Sequence, residues 1–576
     1  MDPTPERETL ASRCLLALSA VLAAANVAFY FPRLVDDAFI TLRYAENLVE
    51  GRGLVYNAGE WVEGYSSLSW VLVQAAGIAL GLDGITATKL AALLATIALL
   101  TGVHRLTREV FELSPVWAAA ATALLAANAY VISWCLYGLE TPLYLALLVW
   151  FGVLVRRVDE LPPSLGRALG LGLLGAALAL TRPEAPLLLL AVGLGAVRLP
   201  RDRDELAAKL RRFAAPAAIV IASYGAFLLL RRALYGHFVP HTYFAKQGHG
   251  LVLSHLETLF SEGASIVEQL FWAASAAAAV AAFGTTRRLL VPAVFLANAF
   301  FVVSVELDWM PNARHFLPSW VVASAGLFAL AHPRVRARSP RVSIAVAALA
   351  LVTAGWLFHV DSRFSRYEFQ THGRGVEWVR PKRPAEWRSA LALLRREDPP
   401  GFEHANPEHL GLIDLTFVAI EASSRPEEET WFFGRDIGMV GYFSPIGVIE
   451  TVGLFTPAVI EWTGGDERAP VPDEAIRAIF EREIVSGEIY GLWADALGRN
   501  PAIVRRYSVL RGSPRHPVRF TQRTHPRPSA DELEARYARV LAKMPRLFHF
   551  AELYGSPAGP SIELRARLAV ERARGR

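Results

Sequence analysis

Two adjacent carboxylates, Asp36 and Asp37, follow directly on the first long apolar segment of the chain. A carboxylate where a hydrophobic helix meets water can take a proton from a hydroxyl or steady a cationic centre. On a helix the two side chains diverge by ~100°, so one of the pair is expected to reach a reacting centre; the sequence does not say which. Basic side chains suited to a departing phosphate recur later, as Arg182, His241, Lys246, Arg314 and His315. Arg offers bidentate contacts to phosphate oxygens and Lys a point charge. Glu140 and Glu184 are candidates for ligand hydroxyls or a divalent cation, and Tyr44, Trp61, Tyr65 and Trp70 for a stacking wall or a lipid-facing lip. Each residue also has a plainer reading, as a solvated helix end, an interfacial anchor or a cap. The sequence has no H-E-x-x-H motif, Cys/His cluster, Walker A motif or dinucleotide fingerprint.

What must position these residues is a set of membrane helices. The 576-residue chain is 53% hydrophobic, and its mean hydropathy is +0.30, too apolar for a soluble enzyme. Apolar character runs to about residue 360, and ordinary soluble composition follows. We expect a membrane domain over 1–360 and a soluble domain over 361–576. Candidate spans are 12–31, 85–103, 115–134, 140–155, 168–181, 184–197, 213–230, 265–284, 289–305, 315–331 and 342–359, eleven in all. The 15–31 segment reads as a retained signal-anchor. Cys14 and Cys135 both lie in apolar segments, so a disulfide framework is not expected.

With the N-terminus inside, the Arg-rich loops at 104–114, 156–167, 198–212, 285–288 and 332–341 fall on the inner side, as the positive-inside rule requires. The net charge of +5 is therefore read as topology and not as nucleic-acid binding. Counting 66–82 as a crossing would reverse every later loop, so it is read as an interfacial helix within a first outer loop at 32–84. Asp36-Asp37, Tyr137–Thr141, Thr181–Glu184, His241–Lys246 and Asp308–His315 then all face outward. Five polar clusters from distant parts of the chain imply one composite site on the outer face. Such a site fits transfer of a sugar from a polyprenyl phosphate to a hydroxyl.

These residues together resemble the GT-C class of integral-membrane glycosyltransferases, in the group of the mycobacterial terminal β-(1→2)-arabinofuranosyltransferases. The resemblance is carried by Asp36–Thr41 with Arg43-Tyr44, Gly51–Asn57, Val62–Ser66, Gly138–Pro142, Arg182–Glu184, His241–Lys246, Asp308–Met310 and, in the tail, Gly434–Tyr442. It is most specific in the first outer loop and weak beyond about Pro457. At His241 the chain departs from the family pattern, where Asn is usual. The resemblance implies a GT-C-like polytopic α-helical fold of about eleven transmembrane helices with a C-terminal α/β domain on the outer face. It implies a cytoplasmic-membrane enzyme with an acid of the first outer loop as the catalytic group. The donor would be a polyprenyl-phosphate sugar, arabinofuranose or a related pentose, and the acceptor a cell-envelope glycan. Transfer of mannose or another hexose to protein or lipid is the alternative; a transporter fits less well, because the spans carry little charge away from their ends.

On this reading Asp36 or Asp37 is catalytic, and Arg182, His241, Lys246, Arg314 and His315 hold the donor phosphate. Arg43, Tyr44, Glu63, Tyr65, Glu140, Glu184 and Asp308 are the candidates for the sugar or the acceptor. In the tail we expect strands at Leu412–Ala419 and Val448–Leu454, helices near 473–483 and 530–543, and a strand–turn–strand over Asp436–Tyr442 with Gly438 and Gly441 as turn points.

Overall fold

The computed structural model describes residues 5–31, 34–245, 288–304, 314–328, 420–421, most of 429–543, and 569–575. The helical part begins with α1 (Pro5–Tyr30), α2 (Asp36–Val49), α3 (Leu68–Ala79), α4 (Gly84–Glu109), α5 (Pro115–Ala127) and α6 (Ala129–Leu136). It continues with α7 (Thr141–Glu160), α8 (Leu165–Ala179), α9 (Ala185–Ala196), α10 (Arg203–Tyr235) and the short α11 (His241–Ala245), then with helices Leu290–Ser304 and Leu317–Leu327. Among the described residues four helices are long and apolar enough to cross a membrane: α1 within Glu8–Ala28, α4, α7 and α10. The shorter α3, α5, α8, α9 and Leu290–Val302 are apolar as well.

Local chemistry sets the boundaries. Asp83, Asn128 and Asp202 accept from the backbone N–H groups of Thr86, Val131 and Glu205, capping α4, α6 and α10. Gly236 ends α10 in the left-handed region, at φ 81°. The expected span 115–134 is in fact two helices. Asn128, extended at ψ 97°, ends α5 and caps α6, and that break turns Trp134 and the following loop toward α2. The 66–82 stretch forms α3, capped by Ser67. Spans 265–284 and 342–359 lie outside the described residues, as does the strand expected at Leu412–Ala419.

One end of the bundle is stapled by ion pairs. Arg157 forks onto Glu109 at 2.8 and 2.7 Å. Arg198 meets Glu112 at 2.6 Å and Glu160 at 3.0 Å. Arg288, 2% exposed, reaches Glu160 at 2.6 Å and the Ala196 carbonyl at 2.7 Å, and Lys209 pairs with Asp159. The loops read from sequence as basic topology markers also tie the ends of α4, α7, α9 and α10 together through acidic partners.

The C-terminal part holds a five-stranded sheet of β1 (Trp431–Gly434), β2 (Gly447–Glu450), β3 (Ile484–Ile489), β4 (Tyr507–Ser513) and β5 (His516–Gln522), in the order β2-β1-β3-β5-β4. β1 runs parallel to β2 and β3, and the β3–β5 and β4–β5 pairs are antiparallel. Helices Asp473–Ile479 and Ala530–Ala542 form where amphipathic periodicity was expected, the latter with a Ser529/Glu532 capping box. The strand–turn–strand reading of Asp436–Tyr442 is corrected: Gly438–Phe443 is a helix, fully buried. Its glycines serve close approach, not turns. A Cβ at Gly438 would collide with the Asp36 carbonyl, and one at Gly441 with the Tyr56 hydroxyl.

Candidate active site

The opening of α2 is fixed against the turn between α6 and α7. The Val35 N–H donates to the Tyr137 carbonyl at 3.1 Å. Gly138 sits at φ +91°, and a Cβ there would meet the Leu34 side chain and, at 2.9 Å, Ala38. The Trp70 indole N–H binds the Gly138 carbonyl at 2.9 Å, and Lys89 the Leu136 carbonyl at 2.5 Å. Residues 137–140 therefore touch the start of α2 at one end and deliver Glu140 to the head of α7 at the other.

There Glu140 meets Arg182, which forms ion pairs with both Glu140 and Glu184. Arg314 lies 4.0 Å from Glu140, and Arg182 Nη2 is 3.5 Å from Nδ1 of His315. The Arg182 guanidinium lies 5.7 Å from the Tyr144 ring centre, and Arg314 5.7 Å from that of Trp134. Five residues nominated from three separated motifs are thus one cluster. Arg182, Glu140 and Glu184 are buried, which is tolerable because each charge is paired. Two carboxylates already compensate Arg182, which leaves it little surplus charge for a phosphate. Conversely, Arg182 supplies the charge that a divalent cation at Glu140 and Glu184 would bring. Among the described residues no group of three His, Cys, Asp or Glu side chains is gathered as a metal site would need.

The two aspartates are placed differently. Asp36 is buried, and both its oxygens accept backbone N–H groups, Oδ2 from Gly438 and Oδ1 from Met439, each at 2.8 Å. Asp37 is half-buried. Other residues of α2 also hold the C-terminal part. Arg43 donates to the carbonyls of Tyr56 (2.7 Å), Gly441 (2.6 Å) and Ile446 (2.8 Å). Glu46 pairs with Lys543 at 2.6 Å. Tyr56 donates to the Ile437 carbonyl at 2.8 Å and stacks on Phe455, ring centres 4.0 Å apart.

Arg43 and Tyr44, nominated for sugar or acceptor, are therefore committed to the backbone. The Tyr44 hydroxyl donates to the Val62 carbonyl (2.7 Å) and accepts from the Gly64 N–H (2.8 Å). The stacking wall is corrected for the same reason. Tyr44, Tyr65 and Trp70 are buried, and only Trp61, 47% exposed, presents a surface.

Glu63 lies in a second cluster, with Arg231. The guanidinium forks onto its carboxylate at 2.7 and 3.1 Å, and the Glu63 carbonyl accepts from the His241 N–H at 3.1 Å. Tyr65 meets the Tyr235 hydroxyl at 3.3 Å. Burial, then the neighbouring His237, holds the His241 imidazole below its usual range. Burial pushes Glu63 up to about 7 from 4.5, against the pull of Arg231. A carboxyl with a raised folded-state pKa favours folding most at low pH, and the contribution declines as pH rises from 4.5 to about 7. Glu63→Gln should therefore lower Tm overall, because Arg231 loses its partner, yet flatten the fall in Tm across that window. An unchanged slope would show that Glu63 does not titrate there.

Lys246 and Asp308 lie outside the described residues. Sequence reasoning passed over Arg231, and Tyr144 and Trp134, which lie within the expected spans 140–155 and 115–134; Thr141 stood in a polar motif but was given no role.

No protein-family model matches the chain, and no curated protein does. Solved structures do. ArnT from Cupriavidus metallidurans bound to undecaprenyl phosphate aligns over 89% of this chain and 98% of its own, with TM-score 0.51 and 13% identity. The apo form aligns over 88% and 97%, with TM-score 0.51 and 15% identity. The chain has a GT-C-like fold. A mycobacterial arabinofuranosyltransferase, AftD, aligns over 83% of this chain and 35% of its own at TM-score 0.43 and 14% identity, a score too low to argue from. In the GT-C-like fold seen here, the end bearing Asp36, Glu140, Arg182 and Arg314 is the end on which the C-terminal sheet unit docks.

Proposed function

We propose that the chain is a multi-pass membrane glycosyltransferase that moves a sugar from a polyprenyl-phosphate donor to a glycan hydroxyl on the outer face of the cytoplasmic membrane. The observation that carries this reading is the convergence of the Asp36–Asp37 pair, the 137–140 turn and the Arg182–Glu140–Glu184–Arg314–His315 cluster at one end of a GT-C-like bundle. Undecaprenyl phosphate bound to ArnT supports a lipid phosphate as the leaving group. The sequence resemblance favours arabinofuranose or a related pentose as the sugar and a cell-envelope glycan as the acceptor.

In this mechanism Asp37 takes the proton of the acceptor hydroxyl as its oxygen bonds to the anomeric carbon. The anomeric carbon–phosphate oxygen bond breaks, and its electron pair leaves on the polyprenyl phosphate. Arg314 and His315, with His241 and Lys246, are assigned to the developing phosphate charge. Asp36 holds the C-terminal unit on α2 and so sets the angle at which Asp37 emerges. The C-terminal unit, outside the membrane, is assigned to the acceptor side.

Vesicles of known orientation test this reading. An acceptor glycoside that cannot the bilayer penetrate should be glycosylated from the outside of right-side-out vesicles loaded with polyprenyl-phosphoryl sugar. Glycosylation only in inverted vesicles would contradict the outward placement.

A further inference from the structure

The Arg182 cluster is ringed by polar groups without hydrogen-bond partners among the described residues. They are Oε2 of Glu184, the Tyr144 hydroxyl, the Thr141 hydroxyl and the Trp134 indole N–H. All four side chains are more than nine-tenths buried, at 6%, 3%, 3% and 0% exposure respectively. Buried donors and acceptors are nearly always satisfied, because each orphan costs on the order of 1–3 kcal/mol. Four around one ion-pair cluster call for something that satisfies them.

Their arrangement is compact. Thr141 and Tyr144 are three residues apart on the first turn of α7, on the same face. Glu184 directly precedes α9 and pairs with the same guanidinium that lies 5.7 Å from the Tyr144 ring. Trp134 ends α6 under Arg314, whose guanidinium is itself 4.0 Å from Glu140.

The chemistry favours hydroxyls over phosphate. Arg182 is paired with both Glu140 and Glu184, so its part of the cluster has no strong surplus of positive charge. It offers a free carboxylate oxygen that accepts, an indole N–H that donates, and two hydroxyls that do either. Two aromatic rings line the same group. Acceptors, donors and ring faces in a charge-balanced setting match a neutral polyol ring.

We infer that the Arg182 part of this cluster is the recognition pocket for the sugar ring of the donor, with Thr141, Tyr144, Trp134 and Glu184 as its specificity-determining residues, and that the donor phosphate lies beside it at Arg314 and His315. The inference rests on the transferase reading above. It reassigns Arg182 from phosphate holder to the rigid centre that orients Glu140 and Glu184.

The test compares two probes on the purified full chain: bare polyprenyl phosphate and the same lipid carrying a sugar, drawn from an arabinofuranose, mannose and glucose set. Wild type should bind one sugar-bearing lipid more tightly than the bare phosphate. Tyr144→Phe and Thr141→Val each remove a hydroxyl that no described residue uses, so Tm should hold or rise. Each should lose about tenfold in affinity for that sugar-bearing lipid while binding the bare phosphate as wild type does. Equal losses for both probes would make this the phosphate site and overturn the inference. Unchanged affinity for both, with folding intact, would mean the hydroxyls face only water and would also overturn it. Wild type binding neither probe would instead remove the transferase reading on which the pocket rests.

Discussion

Asp37→Asn should abolish sugar transfer and leave the fold as it is. Removing a general base typically costs about 10²–10⁴-fold in rate, and the substitution keeps the size of the half-buried Asp37 side chain. Asp36→Asn should behave otherwise. An amide nitrogen would face the Gly438 or Met439 N–H where a carboxylate oxygen now accepts, so the loss of turnover should come with a loosened C-terminal unit. Turnover assays and limited proteolysis on the two variants separate the roles. Wild-type turnover by Asp37→Asn would transfer the catalytic assignment to its neighbour.

Arg43→Ala should have the largest effect on stability. The guanidinium satisfies three carbonyls, on Tyr56, Gly441 and Ile446, and stands 4.5 Å from the Tyr56 ring centre. Losing it leaves the Gly441 and Ile446 carbonyls without this donor, while Asn47 still donates to Tyr56 at 3.0 Å, and opens a cavity between α2 and the C-terminal unit. Each buried carbonyl left without its donor costs about 1–3 kcal/mol. The expected readouts are a lower Tm and rapid proteolytic release of the segment after residue 429. Arg43→Lys should rescue little, since one ammonium cannot span three carbonyls in the fork's plane. A Tm within a degree of wild type would show that the docking does not depend on Arg43.

Much of this was legible in the sequence, for identifiable reasons. Helix positions followed from apolar runs bounded by Asp83, Asp202 and the Arg-rich loops, because hydropathy and caps act locally. The meeting of Glu140, Arg182, Glu184, Arg314 and His315 could be anticipated as five polar motifs facing one side. Their pairing could not, since whether Arg182 faces a phosphate or two carboxylates depends on contacts between residues far apart in the chain. Arg43 shows the same limit. Its place in the most specific motif suggested substrate contact, whereas the structure gives it three carbonyls, two of them some 400 residues away. Gly438 and Gly441 carried a turn signal, but their lack of a Cβ serves the close packing of a helix on Asp36 and Tyr56. Tyr144 was hidden because a hydroxyl in an apolar span looks the same whether or not it is satisfied, and Thr141, though part of a polar motif, showed no more than that.

The most direct test of the central claim is a transfer assay on the purified chain in detergent. Polyprenyl-phosphoryl arabinofuranose, mannose and glucose would each be offered with an alkyl glycoside acceptor, with Asp37→Asn alongside. The expected result is a glycosylated acceptor and released polyprenyl phosphate from one donor, arabinofuranose, and neither product from the variant. No transfer from any donor by a folded wild-type protein that binds the lipids, or equal transfer by Asp37→Asn, would contradict the account.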